Sequence, residues 1–167
     1  MSAAMSVSET SGRRPHERRA GQDGPAGASK TTMLKWIDIF ETGNAEIDSL
    51  HRELIKDCNG LLTLLADEAA WPSIVAQAGK LVVDCIEHFR VEQSVLERIK
   101  FPRRDEHVAE HTRIEERLRM LLARMESVDG SLKEHRDLPA SLGPSLVDLM
   151  IRHDLDYRSH LLYRQGR

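Results

Sequence analysis

From Met33 onward, apolar residues recur every three or four positions in four successive stretches, the pattern of amphipathic helices. The first stripe takes in Ile47, Leu50, His51, Leu54, Ile55, Cys58, Leu61, Leu62 and Leu65, and fades near residues 67–70. Trp71, Pro72 and Ser73 open a second helix, with proline in a first turn, where its missing N–H is not needed. Inward positions there are Ala78, Leu81, Val82, Cys85, His88, Phe89, Glu92, Val95 and Leu96, and the helix stops before Phe101 and Pro102. A third helix is predicted from about 103 to 127, with Val108, His111, Ile114, Leu118, Leu121 and Leu122 inward, broken by Asp129 and Gly130. The fourth begins between 138 and 144 and runs to about 162, carrying Leu146, Leu149, Met150, His153 and Tyr157 roughly on one face. Pro144 requires that this helix start at Gly143 and Pro144, or that an earlier turn be kinked. Short connections between four such helices predict an all-α fold, an up-down-up-down antiparallel four-helix bundle over residues 33–167.

Residues 1–32 carry no such period. The run S-G-R-R-P-H-E-R-R-A-G-Q-D-G-P-A-G is rich in Gly, Ala and Arg and cannot bury enough surface to offset the entropy of ordering. A disordered N-terminal tail is expected, with docking as a less favoured role. Arg13 and Arg14 suggest twin-arginine export, but no hydrophobic segment follows them. Translation from Met33 is an alternative that an intact mass would settle.

Composition narrows the function classes. The 167 residues suffice for one domain with a sizeable core. A net charge of −3 leaves no basic footprint for nucleic acid, and the 40% hydrophobic residues form no run long enough to span a membrane. Aromatics are only 4%, so the core must be largely aliphatic. Cys58 and Cys85 are too few for a secreted disulfide framework and read as buried thiols of a reduced cytoplasm. Across an antiparallel helix pair their heights differ by roughly 6 Å, which argues against a disulfide. Cytoplasmic residence is therefore expected.

The informative residues are the polar ones on the apolar stripes. His88 and Glu92 in H-F-R-V-E, and His107 and His111 in H-V-A-E-H, are four apart, so each pair leaves one helix face a turn apart. His51 sits mid-stripe on the first helix. A lone histidine on such a face is most often a hydrogen-bonded core residue. Four imidazoles and a carboxylate are another matter, since each unpaired polar group would cost about 1–3 kcal/mol, which a cation removes. Imidazole and carboxylate donors suit iron, manganese or zinc. The Glu-x-x-His pair of ferritin-like carboxylate bundles is missing: Glu87, Glu106 and Glu110 are followed three residues on by Arg90, Ala109 and Arg113. Structural zinc would favour cysteine ligands, and neither cysteine has a C-x-x-C partner.

Trp36, E-I-D-S-L-H ending at His51, H-F-x-x-E from His88 to Glu92, and Phe101-Pro102 leading into His107 and His111 together resemble the hemerythrin family, bacterial hemerythrins in particular. The resemblance runs from about residue 34 to 162. It implies an antiparallel four-helix bundle holding two non-heme iron ions that bind dioxygen reversibly. By that resemblance His51 and His88 hold the iron with the open position, His107 and His111 hold the other, and Glu92 bridges. On the fourth helix the bridging aspartate falls on Asp154, with Tyr157, His160 and Leu161 continuing the match. The family's histidine five residues earlier falls on Leu149.

Three consequences of Leu149 stay open. His153 could substitute, although it lies about 6 Å further along the axis. The second iron could carry water instead, giving an extra open position suited to peroxide or nitric oxide. Or the site has decayed, leaving a metal-deficient bundle that serves as an interaction module. The expected function is oxygen carriage, storage or sensing rather than enzymatic turnover. The alternative is a diiron oxidoreductase acting on peroxide or nitric oxide. Sensing would require a separate signalling or redox partner. Leu54, Phe89 and Leu96 are candidates for an apolar wall around a bound diatomic. Met120, Met125 and Met150 are expected in the core, and His135 and His160 at the surface.

Overall fold

The computed structural model describes residues 33–152 and 154–165. The tail, His153 and the side chains of Leu149 and Met150, on which expectations above fall, lie outside the described residues. Among the described residues every regular element is helical. A 3-10 turn at Asp38–Phe40 precedes α1 (Ala45–Ala66), α2 (Trp71–Arg98), α3 (Arg104–Glu126), α4 (Lys133–Ala140), α5 (Leu142–Arg152) and α6 (Asp154–Gln165).

Local chemistry sets the ends of these helices. The Asn44 side chain caps α1, accepting from the backbone N–H of Glu46 at 3.0 Å and of Ile47 at 3.2 Å. Glu68 and Lys100 adopt left-handed φ values of 51° and 52° just past α1 and α2, and so turn the chain sharply without glycine. Pro72 stands in the first turn of α2, and Pro144 in the first turn of α5, so the later proline starts a helix instead of kinking one. The short helix α4 did not announce itself in the apolar period. It is anchored by buried Pro139 and by Arg136, which donates to the carbonyls of Gly130 at 3.2 Å and Ala69 at 3.4 Å.

Helix α1 packs along α2, and α2 along α3, while α5 contacts α1 and α6. The buried apolar residues form two clusters. The larger includes Phe40, Leu54, Leu61, Trp71, Leu81, Phe89 and Met125; the smaller holds Ile47, Val95, Leu96, Phe101, Tyr157 and Leu161. On α1, His51 falls between Ile47 of one cluster and Leu54 of the other. On α2, His88 and Glu92 likewise fall between Cys85 of the larger and Val95 of the smaller. A polar layer thus separates two apolar ones.

Several expectations need correction. Met125 is core, but Met120 is 64% exposed. His135 and His160 are half-buried, the latter because its Nε2 lies 3.0 Å from the Ile99 carbonyl. Val108, Ile114, Leu121 and Leu122 on α3 are only half-buried. For Ile114 and Leu121 the reason is a cleft of about 510 Å³ between α3 and α5, which they line with Leu118. No helix among the described residues is long and apolar enough to cross a membrane.

Two glycines make opposite demands. Gly130 has φ +70°, and a Cβ there would run into the Trp71 indole, whose Nε1 donates to the Val128 carbonyl at 2.8 Å. Gly79 lies inside α2, where a Cβ would meet Leu122 at an ordinary 3.9 Å. In urea unfolding, Gly130→Ala should lose at least about 1–3 kcal/mol, the cost of the backbone alone. Gly79→Ala should gain about 0.5–1 kcal/mol.

Candidate metal centre

Six ionisable side chains meet in the polar layer, from four elements. Helix α1 supplies His51, α2 supplies His88 and Glu92, α3 supplies His107 and His111, and α6 supplies Asp154. His51, His88 and Glu92 have no exposed surface, and His107, the most accessible, has 6%. They fall into two groups, His51/His88/Asp154 and Glu92/His107/His111. In each, one ligand atom per residue lies within 4.8 Å of the others. All six residues singled out in the sequence therefore come together; His153, the proposed substitute, is outside the described residues.

Glu92 stands at the junction of the two groups. Its Oε1 is 3.3 Å from His107 Nε2, and its Oε2 is 3.0 Å from His111 Nε2 and 3.7 Å from His88 Nε2. Asp154 Oδ2 is 2.8 Å from His51 Nε2 and 4.0 Å from His88 Nε2. These separations are close enough for ion pairing, yet the atoms are not aligned as hydrogen bonds. His51 Nε2, both ring nitrogens of His88 and of His111, and all four carboxylate oxygens lack a hydrogen-bond partner. Nitrogen and oxygen donors that crowd together without facing one another leave a desolvation cost of about 1–3 kcal/mol each. A shared cation on which they converge would remove it, and imidazole with carboxylate fits iron, manganese or zinc. Cysteine belongs to neither group; Cys58 and Cys85 are free, buried thiols pushed up to about 11 and about 12, chiefly by burial.

The surroundings fix the ligands' orientation. His51 Nδ1 lies 3.0 Å from the Phe40 carbonyl, which can only accept, so Nδ1 carries the proton and Nε2 presents its lone pair inward. The turn that offers this carbonyl is itself clasped. Buried Asp48 Oδ1 accepts from the Thr42 backbone N–H at 2.7 Å and from the Thr42 hydroxyl at 2.8 Å. Phe89 stacks on His111 at 4.2 Å and sits 5.7 Å from His88, and Leu54 and Leu96 are buried beside their ligands in sequence. Sequence reading missed Asp48, Thr42 and the Phe40 carbonyl. The available signal was an acid in the first turn of a helix, three residues before a candidate ligand.

Burial decides the charge states when no cation is bound. Desolvation lowers His51, and lowers His88 to about 3 against the opposing charge of Glu92, so both imidazoles stay neutral. Burial alone would raise Glu92, but His107 and His111 hold it well below the usual carboxylate range. Asp154 is raised well above that range, by burial and then by the charge of Glu92. One buried carboxylate is thus ionised and its neighbour protonated.

Two neighbouring groups of buried imidazole and carboxylate donors, meeting at Glu92 on a helical scaffold, could hold metal ions in the helical core. A family model described as the Hemerythrin HHE cation binding domain matches residues 42–161, which include all six side chains. The chain belongs to that family. No curated protein matches the sequence.

Asp154→Asn separates the charge states. Asparagine resembles the neutral carboxyl, so the metal-free variant should unfold at the same temperature as the parent or higher, while its iron affinity falls at least about tenfold. The variant also isolates the histidine contribution, because Asp154, raised when folded, opposes it. With His88 at about 3 folded and an ordinary value of 6.5, unfolding takes up a proton between those limits. Stability is complete above pH 6.5 and is lost as pH falls toward 3. Metal-free Asp154→Asn should lose about 2 kcal/mol from His88 alone between pH 7 and pH 5 in urea titrations.

Proposed function

We propose that this protein is a non-heme diiron protein that binds dioxygen for carriage, storage or sensing, on an up-down-up-down four-helix bundle in the cytoplasm. The observation that carries the reading is the pair of buried donor groups joined at Glu92. His51, His88 and Asp154 would hold one iron and His107 and His111 the other, with Glu92 spanning both. When bound, the iron pair supplies two electrons that dioxygen can share reversibly.

The chain's own residues do the rest. The Phe40 carbonyl fixes the His51 tautomer, so this nitrogen is available as a donor without a competing proton. Phe89, stacked on His111 and close to His88, forms with Leu54 an apolar wall on one side of the layer, and Leu96 belongs to the cluster on the other side. Such a wall excludes water and limits proton delivery, which favours release of a bound diatomic over its further reduction. Asp154 held neutral beside ionised Glu92, with His51 and His88 neutral, keeps the charge of the metal-free centre low, and cation binding would release the Asp154 proton.

A second reading follows from Leu149, which by the sequence resemblance falls where the family supplies a histidine. An iron short of one imidazole has an additional position for peroxide or nitric oxide, which points to an oxidoreductase and a redox partner. Anaerobic loading with ferrous iron followed by air tests both. The carrier reading expects a visible charge-transfer band that fades when oxygen is removed and returns on readmission. Irreversible oxidation with turnover of added peroxide or nitric oxide, suppressed in Leu149→His as the reversible band appears, would instead support the second. Failure to retain iron, with thermal stability unchanged by chelation, would overturn both and leave an interaction module.

A further inference from the structure

Asp48 is a buried acid that belongs to neither donor group, yet its contacts lead to one of them. Both Thr42 donors, the backbone N–H at 2.7 Å and the hydroxyl at 2.8 Å, end on the same oxygen, Asp48 Oδ1. The Thr42 hydroxyl in turn accepts from the Asn44 backbone N–H at 3.1 Å, so it is satisfied in both roles. Thr42 stands two residues after Phe40, whose ring is buried in the larger apolar cluster. The Phe40 carbonyl therefore lies on a short span held at both ends, by the ring at one and by the Thr42 clasp at the other. Glu41 between them is exposed, and its ion pair with Arg52 at 3.8 Å is of the weak surface kind.

The direction of this carbonyl matters because His51 has a competing state close at hand. With Nδ1–H donating to Phe40 at 3.0 Å, Nε2 keeps its lone pair. If the carbonyl swings away, a buried N–H loses its acceptor, at a cost of about 1–3 kcal/mol. The imidazole avoids that cost by carrying the proton on Nε2 instead. Asp154 Oδ2 stands 2.8 Å from that nitrogen, and a ring released from the carbonyl can turn to donate to it, whether or not the carboxyl is ionised. The net charge is the same in both tautomers. The pair so formed would take two of the three donors of the His51/His88/Asp154 group out of use together. The other group comes from α2 and α3, so the clasp bears directly on one metal position and not on the second.

We infer that Asp48 is a positioning residue. Through Thr42 and the Phe40 carbonyl it holds His51 in the tautomer that leaves Nε2 and Asp154 free to bind a cation, and so governs occupancy of the His51/His88/Asp154 position alone. The inference rests on the diiron reading. A plain role as an acid in the first turn of α1 makes different demands. It would need the charge of Asp48, and Glu46 supplies the same service. The clasp needs only the Oδ1 acceptor, which asparagine keeps.

Proton–nitrogen correlation NMR of the metal-free, full-length protein reads the tautomer, with His51 assigned by its absence in His51→Gln. The parent should carry the proton on Nδ1; a proton on Nε2 would overturn the inference with no substitution at the clasp. Asp48→Ala should move the proton toward Nε2, and Asp48→Asn should keep it on Nδ1. Should Asp48→Ala not fold, Thr42→Val, which retains the backbone bond and loses the hydroxyl, carries the same comparison. Anaerobic titration with ferrous iron then separates the positions. The parent should take up two irons per chain. Asp48→Ala should bind one with parental affinity and the other at least about tenfold more weakly, and Asp48→Asn should recover both. Equal weakening of both irons, an unchanged tautomer in Asp48→Ala, or failure of Asp48→Asn to restore what alanine loses would overturn the inference. Fewer than two irons in the parent, with the expected tautomers in every variant, would instead overturn the diiron reading and support the hold of Asp48 on His51.

Discussion

Burying His51, His88, Glu92, His107, His111 and Asp154 in a single layer is the constraint to which the rest of the structure answers. Each of these groups forfeits its hydration, and the aliphatic clusters on either side offer nothing in return. Without a cation the layer limits its charge by keeping His51 and His88 neutral and Asp154 protonated, which is the state that burial imposes. That state still leaves donor atoms crowded against one another without hydrogen-bond alignment. An arrangement so costly in the metal-free protein makes physical sense when the same atoms share positive charge.

The helix ends and the segment before α1 serve this layer. Asn44 caps α1 and sets where its helical rotation begins, so that His51 turns inward two turns later. Asp48 holds Thr42, and the turn at Asp38–Phe40 presents the carbonyl that selects the His51 tautomer. Trp36 packs edge-on against Phe40 at 5.9 Å, and the Arg52 guanidinium lies 3.7 Å over the Trp36 ring. Leu34 pairs through both backbone groups with Asn59. A segment with no long helix of its own is thereby tied along α1. The sharp turn at Lys100 and Phe101 similarly brings His107 on α3 back toward Glu92 on α2.

Much of this was legible in the chain. Period and turn residues located the ends of α2 and α3 to within about two residues and the inward stripe of α1, because long amphipathic helices carry many repeats of one signal. Helix α4 escaped because eight residues held by Arg136 contacts carry too few turns for a period to show. Met120 and the half-buried face of α3 were misjudged because periodicity identifies a face without saying whether a neighbour covers it. Of the six candidate ligands, His88 with Glu92 and His107 with His111 were readable from spacing and His51 from its place on an inward stripe, whereas Asp154 followed only from the family resemblance. Their partners were not readable, because a backbone carbonyl such as that of Phe40 has no sequence identity.

The central claim is that the two donor groups act as one centre through Glu92. Mössbauer spectroscopy of the iron-57-loaded, oxidised protein, with iron quantified per chain, tests it most directly. A shared centre should hold two ferric ions per chain with a diamagnetic ground state from coupling across a common bridge. One iron per chain, or two magnetically independent ferric ions, would contradict it.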